Sequence, residues 1–111
     1  MLTLDFALDT IRYCEELEKE REFVIANQLL KSGTSIGANV WEAQNSESRN
    51  DFIHKLKIAA KESEETDFWL LICNRSGNYP DCTALMRKLE SISRMLSKII
   101  SATKNHPSAN R

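Results

Sequence analysis

Apolar side chains recur every three or four residues along most of this chain, which is the spacing of one face of an α-helix. The first stripe consists of Leu4, Leu8, Ile11, Cys14 and Leu17. It predicts a helix that begins near Thr3 and ends in the charged run EELEKERE. A second helix is predicted from about Phe23 to Gln44.

Two further helices are predicted in the second half of the chain. Ser48, followed three residues later by Asp51, resembles a capping box, so the third helix begins near Ser48. Gly77 follows its end, where a left-handed cap suits glycine. The apolar seam of this helix consists of Phe52, Leu56, Ala59, Ser63, Thr66, Leu70 and Cys73. The fourth helix follows Pro80, and its seam consists of Cys82, Leu85, Leu89, Ile92, Leu96, Ile99 and Thr103.

Four helices of about twenty residues with short connections predict an all-α fold, an up-down-up-down antiparallel four-helix bundle. The bundle is expected to occupy residues 1–104 and to be followed by a polar tail at 105–111. The side chains expected to form the core of the subunit are Ile36, Val40, Leu56, Leu70, Leu89 and Leu96.

Helices two and three carry more apolar surface than one bundle can bury. Residues 68–73 read FWLLIC and are apolar all round the helix, and Lys31 is the single charged residue between Ile25 and Trp41. Such helices need cover on their outer faces, and in a short soluble chain another subunit is the available cover. We therefore expect a homo-oligomer. Its candidate subunit contacts are Leu30, Gly33, Gly37, Trp41, Phe68 and Met95.

The segment SGTSIGAN contains Gly33 and Gly37, four residues apart in helix two. These glycines would let another helix backbone approach closely, although each lowers helix stability by about 1 kcal/mol relative to alanine. The alternative is a phosphate cradle. The close-approach interpretation is favoured because the segment lacks the GK[ST] ending and the preceding strand of a P-loop.

A stripe of short polar side chains, including Ser32, also follows helix two. With partners on helix three it predicts a buried polar network of Gln28, Ser35, Asn39, Glu42, Glu62, Glu65 and Thr66. A wet surface and a ligand site are the alternatives, and the network is favoured because helix two has few charges. A di-iron site at the three glutamates would need two E-x-x-H pairs, which the sequence lacks, so neither metal nor cofactor is expected.

Charge is unevenly distributed along the 111 residues. The 15 Lys plus Arg against 16 Asp plus Glu give a net charge of −1, which excludes a strongly basic nucleic-acid tail. Residues 1–48 hold nine acids and four bases, whereas residues 49–111 hold seven acids and eleven bases. Two helix faces collect basic side chains: His54, Lys57 and Lys61 on the third helix, and Arg87, Arg94 and Lys98 on the fourth. These faces are either solvated surfaces or, when repeated around an oligomer, rings that attract RNA or DNA.

Several functional classes find little support in the sequence. No apolar run is long enough to cross a bilayer and the acidic start argues against a signal peptide, so a cytoplasmic location without membrane contact is expected. Cys14, Cys73 and Cys82 form no C-x-x-C pair and are interpreted as reduced packing residues. No nucleophile is paired with a base and neither histidine has a helical ligand spacing, so an enzyme is not expected.

The stretch from Gln28 to Leu71 closely resembles the signature of the ribosomal RNA intervening-sequence proteins, also labelled S-twenty-three ribosomal proteins. The matching parts are SGTSIGAN, the following Glu42–Ala43, the run S-x-x-D-F-I-H-K-L, and K-E-S-x-E-T-D-F-W-L. The flanking helices fit this family by length and pattern.

This resemblance implies a homopentamer of four-helix bundles, arranged as a barrel around a central channel. A related branch is the accessory variability protein of diversity-generating retroelements, a basic pentamer that binds nucleic acid and a reverse transcriptase. We therefore expect a non-enzymatic homopentamer that binds RNA or DNA through the basic faces of helices three and four, with a nucleic-acid-processing protein as a further partner. A protein-interaction scaffold without nucleic-acid binding is the alternative.

Overall fold

The computed structural model describes residues 1–104, which form four α-helices packed as an antiparallel bundle. The helices are α1 (Leu2–Lys19), α2 (Phe23–Ala43), α3 (Arg49–Ser76) and α4 (Thr83–Lys104). Helices adjacent in sequence pack together and α4 returns to α1, so α1 and α3 occupy opposite corners. The predicted all-α four-helix bundle is confirmed, and the tail predicted at 105–111 lies outside the described residues.

The core follows the long axis of the bundle and contains every side chain predicted for it: Ile36, Val40, Leu56, Leu70, Leu89 and Leu96. The predicted seam of α3 is buried from Leu56 to Cys73, and that of α4 from Cys82 to Leu96. Each large aliphatic side chain removed from water contributes about 1.5–3 kcal/mol. One stripe of α3 and one of α4 enter the core, so the outer faces of both helices lie at the surface.

The ends of α3 follow the signals in the sequence. The Ser48 side-chain oxygen accepts a hydrogen bond of 3.0 Å from the Asp51 backbone N–H, which caps the first turn. Gly77 ends the helix with φ at 77°, the left-handed conformation that glycine adopts without a Cβ penalty.

A left-handed residue also ends α1, but here it carries a side chain. The Arg21 N–H donates to the Glu18 carbonyl and the Glu22 N–H donates to the Leu17 carbonyl, both at 2.9 Å. These bonds form a Schellman motif, which places Arg21 at φ 63°. A residue with a Cβ pays about 1 kcal/mol in this conformation.

The face that α1 turns towards the core differs from the predicted one. Leu4, Leu8 and Ile11 are 52%, 44% and 38% exposed, so their predicted burial is wrong. The side chains of α1 that are buried are Thr3, Phe6, Thr10, Tyr13, Cys14 and Leu17. The helix carries apolar side chains on two faces, and the face with Phe6 and Tyr13 is the one that fills the core.

Two glycines of α2 account for this rotation. A Cβ on Gly33 would lie 2.8 Å from Thr10 Cγ2, and a Cβ on Gly37 would lie 3.2 Å from the Thr3 carbonyl oxygen. The close helix approach expected at these glycines is therefore made by α1 of the same chain. Gly33 is buried inside the subunit, which corrects its prediction as a subunit contact. The phosphate-cradle alternative fails as well, because both glycines lie within a continuous helix.

We expect Arg21→Gly to raise the free energy of unfolding by about 1 kcal/mol, because glycine removes the Cβ strain of the left-handed position. Gly77→Ala should lower it by a similar amount, since its Cβ meets nothing within 4 Å and conformational strain is the whole effect. Urea unfolding followed by circular dichroism measures both variants. Equal midpoints for all three proteins would contradict the assignment of these two caps.

Gly33→Ala should destabilise the subunit by about 1–2 kcal/mol, because the added methyl group overpacks against Thr10. Thr10→Ser removes Cγ2 and keeps the hydroxyl that bonds to the Phe6 carbonyl at 2.8 Å. The double variant Gly33→Ala/Thr10→Ser should therefore recover most of the lost stability. Ala38→Gly, at an exposed site on the same helix, calibrates helix propensity. Independent, additive effects in the double variant would contradict the contact.

Candidate nucleic-acid interface and apolar surfaces

The basic side chains predicted to contact nucleic acid all lie on the outside of α3 and α4. The exposed residues are His54, Lys57, Lys61, Arg87, Arg94 and Lys98. Other cations of these helices are engaged: Lys55 lies 2.7 Å from a Glu42 carboxylate oxygen, and Lys88 pairs with Asp9 of α1. The hydrogen bond to Glu42 raises the pKa of Lys55.

Contacts between α3 and α4 set the relative height of the two basic faces. The hydroxyl oxygens of Ser63 and Ser93 are 2.8 Å apart, and near one end of the bundle Arg49 donates to the Thr103 carbonyl. Because the helices are antiparallel, this register places Lys61 level with Arg94, and Lys57 level with Lys98, each within about one helical turn. Two basic stripes far apart in sequence thus lie at the same heights on neighbouring helices, in the same half of the bundle.

Arg87 has different surroundings from the other cations. It borders a groove of about 530 Å³ between α3 and α4, which is also lined by Glu64, Asp67 and Glu90. Arg94 lies 3.5 Å from the same Glu90, at the edge of this acidic stretch. The carboxylates offset the charge of Arg87, so the basic character of the α4 face is strongest towards Lys98.

The buried part of the predicted polar network is small. Thr66 Oγ1 lies 2.9 Å from Ser32 Oγ and 2.7 Å from the Glu62 carbonyl oxygen, and both hydroxyl side chains are buried. Ser32 belonged to the predicted stripe, and Thr66 is the network member that the structure places in the core.

The remaining members of the network lie at the rim between α2 and α3 or in solvent, which corrects the prediction. Gln28, Glu42 and Glu65 are exposed, whereas Ser35, Asn39 and Glu62 are half-buried. Two of their hydrogen bonds stay within one helix: the Asn39 amide donates to the Ser35 carbonyl at 2.9 Å, and Glu65 accepts from Trp69 Nε1 at 3.1 Å. Glu42 instead reaches another helix, through Lys55. The core-facing stripe of α2 is centred on Leu29 and Ile36, so the polar stripe falls on its flank.

The cysteines lie in the protein interior beside Tyr13, whose hydroxyl donates to the Pro80 carbonyl at 2.7 Å. Burial raises the pKa of Cys14 to about 12, and it also raises the pKa values of Cys73 and Cys82. These thiols stay protonated and pack as small apolar groups, as the sequence predicted. Within residues 1–104, no group of three or more His, Cys, Asp or Glu side chains is arranged to hold a metal ion.

Large apolar side chains are exposed on two separate surfaces. On the α1–α2 surface, Trp41 is 59% exposed and borders a pocket with Leu4, and Leu8 and Ile11 are exposed further along α1. On the α3 surface, Phe68 is 55% exposed, and its ring meets the Trp69 ring edge-on at 5.0 Å. None of the four described helices is apolar and long enough to span a membrane.

The remaining predicted subunit contacts are partly covered by their own chain. Leu30 and Met95 are half-buried against the core, and Gly37 is half-buried against Thr3. Gly37 also borders an apolar pocket of about 230 Å³ at Trp41. The α1–α2 surface, the α3 surface, and Phe23 and Val24 at the start of α2 therefore carry exposed apolar side chains.

Comparison with known proteins identifies a family and similar solved structures. The sequence model described as 23S rRNA-intervening sequence protein matches residues 2–98. The structure is similar to the crystal structure of a protein with unknown function from the S23 ribosomal protein family of Bacteroides thetaiotaomicron. That similarity has a TM-score of 0.85 and 38% sequence identity, and covers 89% of this chain and 94% of the other. No curated protein matches the chain.

All three thiols should react with a thiol reagent such as Ellman's reagent about a hundredfold more slowly in the native protein than in denaturant, because burial keeps them protonated and inaccessible. Stopped-flow absorbance at pH 8 measures the rate. An Arg21→Cys variant, with its side chain in solvent, supplies the fast control. A fast native thiol in the unaltered chain would show that one cysteine is chemically available.

Proposed function

The chain belongs to the family of 23S rRNA-intervening sequence proteins, and we propose that it is a non-enzymatic homo-oligomer that binds RNA or DNA through the adjoining basic faces of α3 and α4. The observation that carries this proposal is the register that sets Lys61 level with Arg94, and Lys57 level with Lys98. A phosphate backbone could contact both helices at once along this surface.

Electrostatics support this location better than any other part of the subunit. Residues 1–48 carry nine acids and four bases, so α1 and α2 repel a polyanion, whereas residues 49–111 carry seven acids and eleven bases. Affinity for nucleic acid rests largely on phosphate neutralisation and counterion release. His54 extends the same α3 face by a further turn.

Self-association would multiply this surface. The exposed apolar side chains of α1, α2 and α3 need cover, and a homopentamer, as the family resemblance implies, would repeat the basic faces five times. Such a ring would raise affinity through multivalency, because one strand could contact several subunits. A nucleic-acid-processing protein is the expected further partner.

A protein-interaction scaffold is the second candidate function. The groove beside Arg87 favours it, because Glu64, Asp67 and Glu90 interrupt the basic surface and suit a cationic protein segment better than a phosphate backbone. Protein capture without nucleic acid would support this alternative.

We expect Arg94→Ala/Lys98→Ala to weaken binding of fluorescein-labelled RNA about tenfold or more and to reduce the slope of log K against log salt by about 2, because two phosphate contacts are lost. Fluorescence anisotropy measures both quantities in a titration from about 50 to about 300 mM KCl, because affinities that depend on phosphate contacts fall by orders of magnitude over such a range. Arg87→Ala should have a smaller effect, since carboxylates surround that side chain.

The matched control is Lys19→Ala/Lys31→Ala, which removes two exposed cations from the acidic half and should leave affinity nearly unchanged. Equal losses in the two double variants would indicate a nonspecific charge effect. Absent or salt-insensitive binding by the unaltered protein would leave the scaffold function.

A further inference from the structure

Two lines of exposed side chains run along opposite corners of the bundle with the same spacing. On α1 the line is Leu4, Ile11 and Glu18, and on α3 it is Lys61, Phe68 and Arg75. Members are seven residues apart, so each line runs nearly parallel to its helix axis, one member about every 10 Å. The α1 line changes from apolar to acidic along the chain, and the α3 line ends in a base.

Contacts with α2 fix the relative heights of these two lines. Thr10 of α1 lies against Gly33, and Ser32, beside that glycine, bonds to Thr66 of α3. Both helices are antiparallel to α2, so α1 and α3 run in the same direction. A residue of α1 is therefore level with the α3 residue whose number is higher by about 56. Contacts nearer the other end agree within two residues: Thr3 with Gly37, and Glu42 with Lys55.

This offset gives the two lines matching chemistry at matching heights. Ile11 is level with Phe68, and Glu18 is level with Arg75, each within about one residue. We propose that α1 of one subunit packs against α3 of the next copy in the same direction, with Ile11 against Phe68 and Glu18 paired with Arg75. The inference rests on the self-association proposed above and assigns the surfaces that carry it.

Charge identifies a second copy of this chain as the occupant of each surface. Arg75 follows Phe68 on α3 and Glu18 follows Ile11 on α1, each by seven residues. Opposite signs therefore face each other at this end of the apolar contact. Pairing two α1 lines, or two α3 lines, would instead oppose like charges in a parallel arrangement and would leave the other apolar line uncovered.

The placement of the lines also allows the contact to repeat. Because α1 and α3 occupy opposite corners, one subunit can use its α1 towards one neighbour and its α3 towards another. Such a heterologous contact generates a closed ring when the rotation closes. The apolar pair supplies contact area, whereas the exposed ion pair sets register and direction, since surface pairs alone contribute little stability. Leu4 would lie along the aliphatic stem of Lys61, leaving its ammonium group in water.

The test is charge reversal read by light scattering. Glu18→Arg and Arg75→Glu should each shift the concentration for half-assembly upward about tenfold, because each opposes like charges at the contact. The double variant Glu18→Arg/Arg75→Glu should restore assembly, since the pair is re-formed with exchanged signs. Controls with the same charge changes are Glu47→Arg and Lys104→Glu, both exposed away from the two lines. Far-UV circular dichroism verifies that each variant is helical.

Cross-linking gives a second measurement that does not depend on affinity. Glu18→Cys/Arg75→Cys, oxidised mildly, should yield a ladder of covalent multimers of the 12.7 kDa chain on a denaturing gel, whereas each single variant should not exceed a dimer. The native thiols are buried and should not contribute.

The outcomes separate this inference from the proposed function. Assembly that is insensitive to both reversals, with no ladder, would overturn the assigned surfaces and leave self-association intact. Reversals that weaken assembly without recovery in the double variant would overturn the Glu18–Arg75 pairing. If the unaltered protein keeps the mass of one chain, 12.7 kDa, at every concentration, both the assembly and this contact would be overturned.

Discussion

The close contact of α1 with α2 at two glycines is the constraint on which the outer surface of this protein depends. Thr10 occupies the space that a side chain on Gly33 would need, and the Thr3 backbone does the same at Gly37. Because the glycines of α2 have no side chains, the threonines of α1 pack directly against its backbone and the two helices approach closely. This approach leaves α1 with one rotation, in which Phe6 enters the core and the leucines near the N-terminus face outward.

The rotation of α1 in the core thereby determines which of its side chains are exposed. With any other rotation, Ile11 would be buried and Glu18 would point elsewhere, so the α1 line would not exist. The same contacts also fix the height of α1 relative to α3, because α2 contacts both helices. The hydroxyl contact between Ser63 and Ser93 fixes the height of α4 relative to α3. Side chains on three helices are thus positioned by a few small residues whose own chemistry is inert.

The sequence correctly predicted those features that depend on one helix. The predictions failed where contact with a neighbouring helix determines which side chains are buried. The Ser48 cap, the Gly77 terminus and the seams of α3 and α4 are local, since each seam is one apolar stripe. In α1, two apolar stripes compete, and the choice depends on the distance to α2. The polar network failed for the same reason: burial of Gln28 depends on where α3 lies. Exposure of the basic side chains could be predicted, whereas the adjacency of Lys61 and Arg94 requires the register.

The proposed assembly also resolves the conflict between a net charge of −1 and affinity for a polyanion. In the head-to-tail contact, Glu18 of the acidic half pairs with Arg75 of the neighbour, so one acid and one base are covered together. The α4 face takes no part in that contact, and Lys98 stays at its basic end. The covered charges cancel, so the affinity for a polyanion comes from the basic face of α4 repeated around the ring and not from a change in net charge. Oligomerisation rests on the height of α1 against α3 and nucleic-acid binding on the register of α3 and α4, and contacts between small side chains in the bundle set both.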